Sequence, residues 1–406
     1  MGKQRLPASG GWAGIIVGWE LSTLFNLRHS MKFRRFGKTN LHLSLFSLGT
    51  MRCLASEDIA CQTVEQAIAL GINHLETARG YGRSEFFLGA ALKSGLPVPR
   101  SQLYVTTKIP PTADAALMAQ AIDESLERLG LDYLDGLAIH GLNTWEHLEW
   151  VKASQGCMKA VQEAVADGRV RHVGFSTHGF LEVILAAIAT DLFEFVNLHY
   201  TYFFQRNAAA IALAHQKDMG VFIISPADKG GMLYTPPPTL EYLCQPFSPL
   251  ELNYRFLLSD PWITTLSVGP ANPQELKSPL ALADQDHPLT PEEIEALNRL
   301  QIHQMRALAT ERCSQCYACL PCPEGIHIPE VLRLRNLAVA YDMTQFGQYR
   351  YRMFENAGHW FPGNKANRCT DCGECLPKCP EQLNIPNLLQ DTHQRLNGAP
   401  GRRLWG

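Results

Sequence analysis

The chain has 406 residues, of which 46% are hydrophobic and 18% charged; 36 Lys and Arg stand against 39 Asp and Glu, for a formal net charge of -3. Such a near-balance offers a polyanion no general attraction, which argues against nucleic acid as a partner. The composition is that of a globular chain long enough for one large and one small domain.

Residues 1–30 read as an N-terminal extension. Gly11 to Trp19 form an apolar stretch too short to cross a bilayer, and no small-residue cleavage site follows it. A weak membrane-surface tag is the alternative, and Met31, opening MKFRRFG, is the natural start of structured chain. From Phe33 the sequence FRRFGKTNLHLS suggests a hairpin turned near Lys38–Asn40. Eight short apolar runs then alternate with longer amphipathic stretches. The runs are Leu45–Gly49, Ile72–Glu76, Leu103–Lys108, Asp135–His140, His172–Ser176, Glu194–His199, Gly220–Ser225 and Thr264–Gly269. Between them, Asp58–Leu70, Asp114–Leu129 and Leu181–Ala189 repeat apolar residues every three or four positions, the period of helices with one face on a sheet. Eight such units over residues 31–305 predict an α/β fold, a (β/α)8 TIM barrel. A doubly wound sheet is the rival, but it would carry a glycine-rich phosphate turn after its first strand, and TMRCLASED after Gly49 has none. Leu289–Thr310 reads as a closing helix, with a threonine cap, proline at its first position and acids in its first turn.

Twelve cysteines are spread unevenly, eight of them between Cys313 and Cys379. They fall in two runs, Cys313-x2-Cys316-x2-Cys319-x2-Cys322-Pro and Cys369-x2-Cys372-x2-Cys375-x3-Cys379-Pro. Three thiolates at two-residue spacing can wrap three corners of an iron–sulfur cube, and the cysteine before the proline can reach the other cube. The expectation is two [4Fe–4S] clusters, one on Cys313, Cys316, Cys319 and Cys379, the other on Cys369, Cys372, Cys375 and Cys322. Structural zinc or disulfides are the alternatives; zinc sites usually pair cysteines across a longer spacer. The 46 residues between the runs are helix-like, so residues 306–395 read as a small, mainly helical, ferredoxin-like domain. Exposed redox-labile clusters and the missing export signal point to the cytoplasm.

A barrel presents its site at the carboxyl ends of its strands. Those ends carry Glu76, Lys108 and His140, with Tyr81 five residues beyond Glu76. A carboxylate beside Lys108 would keep the lysine charged. Lys108 would in turn ease proton loss from Tyr81, and a tyrosine so placed can protonate a carbonyl oxygen while a histidine orients it. Taken singly, Lys108 and His140 read first as plain core or rim residues.

Together the segments GINHLETARGYGRSEFFLG, VTTK, LDYLDGLAIH, GRVRHVGFS, VNLHY, ISPADKGGML and DPWITTLSVGPANPQEL resemble the aldo-keto reductases over about residues 32–300. With the cysteine runs attached, the chain resembles the bacterial branch that carries a C-terminal ferredoxin-type tail. The resemblance implies Tyr81 as general acid/base, tuned by Lys108 and Glu76, with His140 positioning the substrate. It implies NADP(H) or NAD(H) held by Ser176, Asn197, Ser225, Gly231, Leu233 and Gly269. The substrate would be a small carbonyl or alcohol, and a ferredoxin-like electron carrier a second partner. Departures from the family pattern are Glu76 for a usual Asp, Thr177 for Asn, Asn197 for Gln, Ile224 for a stacking Tyr, and Glu275 where NADP-specific members often have Arg. Arg79, Lys229 and Lys277 could supply positive charge at the mouth. Two further readings stand beside the coupled oxidoreductase. One is a reductase whose clusters are structural or sensory; the other is an electron-transfer or redox-sensing protein whose barrel has weak or no hydride chemistry.

Overall fold

The computed structural model describes residues 31–398; the expected extension, residues 1–30, lies outside the described residues. Its first elements are the expected hairpin. Strands β1 (Phe33–Arg35) and β2 (His42–Ser44) pair antiparallel. Asn40 takes a positive φ of 56° at the turn, a conformation Asn tolerates better than most residues.

All eight apolar runs become parallel strands of one closed barrel: β3 (Phe46–Gly49), β4 (His74–Glu76), β5 (Tyr104–Ile109), β6 (Leu134–His140), β7 (Val170–Ser176), β8 (Phe195–Leu198), β9 (Gly220–Ile223) and β10 (Thr265–Val268). Each pairs with the next in sequence, and β10 closes onto β3. The amphipathic stretches form the outer layer, among them the helices Glu57–Ala69, Ala115–Leu129 and Leu181–Ala189. Phe36 of the hairpin turn packs with Leu43, Ala138, Phe195 and Phe222 in a separate apolar cluster at the amino ends of the strands. A Cβ on Gly220 would collide with the Phe36 ring, so glycine is needed there for the hairpin to plug that end. Inside the barrel His74 bridges Ser47 and Thr106 at 2.7 and 2.9 Å. Burial pushes its pKa down to about 3, so it stays neutral.

The closing helix spans Pro291–Leu308 and begins with the anticipated signals. The Thr290 side chain accepts from the Glu293 amide while Glu293 reaches back to the Thr290 amide, a capping box. Thr290→Ala is expected to lower unfolding stability by about 1 kcal/mol, read as a shift in the denaturation midpoint at unchanged slope. Glu293 also binds the buried Arg255 at 2.6 Å, tying this helix to the helix Pro249–Leu258.

Beyond it the chain is mainly helical, with Ile328–Tyr341, Thr344–Tyr351 and Ile385–Leu396 as its helices. These share one continuous hydrophobic core with the barrel. Tyr341 donates to the Leu300 carbonyl at 2.9 Å, and Arg333, paired with Glu330, donates to the Phe203 carbonyl at 3.1 Å. The second bond pins the C-terminal helices to the loop after β8. Among the described residues no helix is long and apolar enough to cross a membrane.

Candidate active site at the barrel mouth

Parallel register brings the polar strand ends together. Glu76 closes β4 opposite Thr106, Lys108 lies one residue from the end of β5 opposite Ala138, and His140 closes β6 opposite Ser176, which faces Asn197 on β8. Consecutive strand residues point to opposite faces, so only a fixed subset of each strand end can reach the barrel axis.

Lys108 donates from Nζ to Glu76 Oε2 at 2.9 Å and to the Thr77 carbonyl at 3.0 Å. The other Glu76 oxygen accepts from Asn197 Nδ2 at 2.5 Å. Lys108 Nζ also lies 4.8 Å from the Tyr81 ring centroid, and its charge acts on the phenol. The His140 and Tyr81 rings meet edge to face at 5.5 Å. Burial opposes charge on Lys108, yet Glu76 and Tyr81 outweigh it and hold the lysine above its ordinary value. For Tyr81 the order differs from expectation. Lys108 does ease proton loss, but burial dominates and raises the phenol above its usual 10.0, so the hydroxyl keeps its proton. Burial, reinforced by the charges of Lys108 and Lys229 and by His359, holds His140 well below its ordinary value and neutral. A protonated phenol and a neutral imidazole beside a fixed ammonium can donate a proton to an oxygen and stabilise charge there.

These four residues open on a cavity of about 80 Å³, bordered also by Ser176, Ser225 and Gly269. Asn197 is fully buried behind the cavity and held by Glu76, but its Oδ1 has no hydrogen-bond partner, an acceptor suited to an amide donor. Gly231 and Leu233 do not border the cavity: Leu233 is buried, and a Cβ on Gly231 would meet Met343 and Leu233. Among the family departures, Thr177 is occupied by the Leu142 carbonyl at 2.8 Å, and Ile224 lines the cavity. The Glu275 carboxylate is held by Arg52 at 2.7 Å. Arg79 pairs with Glu124 at 2.6 Å, whereas Lys229 lines the cavity.

Trp360 was not assigned to this site by the sequence. It lies against Gly141, where a Cβ would strike its ring, and meets His140 and His178 at 5.1 and 5.3 Å. Its neighbour His359 is hydrogen-bonded to Asn143 at 3.0 Å. The C-terminal unit therefore supplies one wall of the mouth. From its sequence the His359–Pro362 segment is expected to seal a cluster or pack on the barrel, with a docking surface as the alternative, and it packs on the barrel.

Residues 46–241 match the sequence profile of the Aldo/keto reductase family. The barrel resembles the aldo/keto reductases over that span, just under half of the chain. Members of this family are nicotinamide-dependent oxidoreductases. L-galactose dehydrogenase of Arabidopsis thaliana is 35% identical over 158 residues, 36% of this chain and 48% of that protein, so the chain spans about half the length of that relative. An uncharacterized oxidoreductase of Bacillus subtilis is 24% identical over 306 residues, covering 66% of this chain and 95% of its own. In fold, the holo form of an aldo-keto reductase from Bacillus halodurans superposes with a TM-score of 0.58 at 24% identity, over 66% of this chain and 96% of that one.

The C-terminal unit requires a correction. Residues 312–384 match the profile of the 4Fe-4S dicluster domain, a likeness of sequence that the spacing of the two runs explains. Spacing fixes how far apart thiols lie along the chain; a cube also needs four sulfurs aimed at one centre. Among the described residues no group of three or more His, Cys, Asp or Glu side chains is gathered so as to hold a metal ion. Cys313, Cys316, Cys319, Cys322, Cys369, Cys372, Cys375 and Cys379 are all free thiols here, with Cys316 and Cys372 exposed. The expected ligand sets are not assembled, and the ferredoxin-type tail with two [4Fe–4S] clusters is withdrawn on that finding. The ferredoxin-like electron carrier and the electron-transfer readings rested on those clusters and lose their support with them.

Proposed function

We propose that the barrel mouth reduces a small carbonyl compound, or oxidises the matching alcohol, against a bound nicotinamide. The convergence of Tyr81, Lys108, Glu76 and His140 on one cavity carries this reading. A nicotinamide bound there supplies or accepts the hydride. Ser176, Ser225 and Gly269 border the space it would enter. The substrate oxygen sits between the Tyr81 hydroxyl and His140. Tyr81 donates its proton to that oxygen as negative charge builds there, and Lys108 stabilises the phenolate left behind. Glu76 keeps Lys108 charged and in place. His140, neutral, orients the oxygen. Trp360 closes the wall facing His140 and excludes water from the reacting atoms.

The test uses the full chain with reduced nicotinamide, phosphorylated and unphosphorylated in turn, and a panel of aliphatic and aromatic aldehydes. Oxidation of the cofactor in step with alcohol formation is the expected result. Tight binding of neither nicotinamide, or binding with no turnover of any aldehyde, would overturn the reading.

A further inference from the structure

Beside the active cavity lies a second, small one, of about 30 Å³, between the barrel and the C-terminal helices. His178 borders both. The second space is walled by Trp360 and Phe361 and lined by Arg206, Arg350 and the carboxylate of Glu330. Arg350 lies on the helix Thr344–Tyr351 and is only 7% exposed. Its Nε has no hydrogen-bond partner, its Nη1 faces the Met353 sulfur at 3.3 Å, and the Phe361 ring lies 4.3 Å away. No carboxylate within salt-bridge distance pairs it among the described residues. Lys229, in the loop after β9, lines the active cavity, likewise with no ion pair among the described residues.

Unpaired buried cations are costly, because a thioether and a ring face replace little of the lost hydration. Nearby acids do not settle the account. Glu330 is taken up by Arg333, whose guanidinium it binds at 2.5 and 3.0 Å. Asp228 is half-buried and pushed toward its neutral form by that burial, with Oδ2 unpartnered. Arg206 adds a third cation, donating to the Gly179 carbonyl at 2.7 Å while its Nε has no partner. With Glu330 held by Arg333, the surplus at this space beside the reacting centre is positive. Proximity supports the same picture, since Arg350 is the charge that most lowers Lys229, held down to about 8 chiefly by burial.

We propose that the substrate carries an anionic group, a carboxylate or a phosphate, bound between Lys229 and Arg350 while its carbonyl meets Tyr81 and His140. The proposal rests on the carbonyl reading above and adds the substrate's chemical class. It gives the C-terminal unit a binding role, since Arg350 and the Trp360 wall both come from it. Lys229 belongs to the loop that the family resemblance places beside the cofactor, so the pyrophosphate of the nicotinamide is the other source of the same chemistry. The test therefore separates substrate from cofactor.

4-Carboxybenzaldehyde and its neutral isostere 4-formylbenzamide are compared as substrates of the full chain. Benzoate and benzamide are compared as ligands by calorimetry, with and without nicotinamide. A charge-assisted contact is expected to favour each carboxylate by about tenfold or more. Arg350→Gln and, separately, Lys229→Gln should each remove most of that preference, with nicotinamide affinity changed far less. Lys229→Gln, on the barrel loop, keeps the test valid if Arg350→Gln disrupts packing. Equal binding of benzoate and benzamide overturns the site, as does a preference that survives both variants. Weakened nicotinamide binding with the benzoate preference intact assigns the cations to the cofactor's phosphates and overturns it too. A benzoate preference without turnover of either aldehyde defeats the carbonyl reading while the anion site stands.

Discussion

Tyr81→Phe is expected to lower kcat for carbonyl reduction by about 10²–10⁴-fold, the usual worth of a positioned proton donor. The ring would stay where it is, because Lys108 and His140 contact it at 4.8 and 5.5 Å and phenylalanine keeps the same face and edge. What disappears is the hydroxyl on which the Lys108 charge acts. Substrate KM should therefore move much less than kcat, the signature of an interaction made in the transition state. The pH profile follows from the same geometry. Burial raises Tyr81 above its ordinary 10.0, and reduction needs the protonated phenol. Reduction by the parent enzyme should stay level through neutral pH and fall only as pH rises past the usual tyrosine range. A loss below about tenfold in the variant would mean that the proton comes from elsewhere, and His140 would be the next candidate.

The barrel was legible because its strands are short, apolar on both faces and separated by helices of regular period. Every one of the eight runs became a strand, with ends shifted by one or two residues, since hydrogen bonding to the neighbouring strand decides where pairing starts. Glu76, Lys108 and His140 could be read as neighbours because a barrel aligns strand ends whatever lies between them. Trp360 and Arg350 could not. Their approach depends on how helices 150 residues or more beyond β7 dock on the mouth, through contacts such as Arg333 with the Phe203 carbonyl, and no periodicity encodes that. The cysteine runs mark the opposite limit. Regular local spacing is visible in the sequence, whereas convergence of sulfurs from two segments is a tertiary property, and it is the part that the structure does not bear out.

The exchange of Asp for Glu76 and of Gln for Asn197 reads in sequence as two separate departures from the family pattern. The structure joins them: Asn197 Nδ2 donates to Glu76 Oε1 at 2.5 Å while Oε2 holds Lys108 at 2.9 Å. One partner is longer by a methylene and the other shorter, so the pair spans the same gap. Glu76→Asp alone should withdraw the carboxylate by about 1.5 Å and lower kcat by up to about 10²-fold, since misplacement on this scale is enough. Asn197→Gln alone forces a methylene into a fully buried position, at a cost of about 1–3 kcal/mol in stability. The double variant should recover both, giving a coupling of about 0.5–3 kcal/mol in a double-mutant cycle. Glu76→Ala has no such rescue. It strands the 2%-exposed Lys108 ammonium, and the loss expected from breaking a buried pair is about 3–5 kcal/mol, read by chemical denaturation. Strictly additive losses in the cycle would show that the two side chains act independently, and the compensating pair would then be an accident of contact.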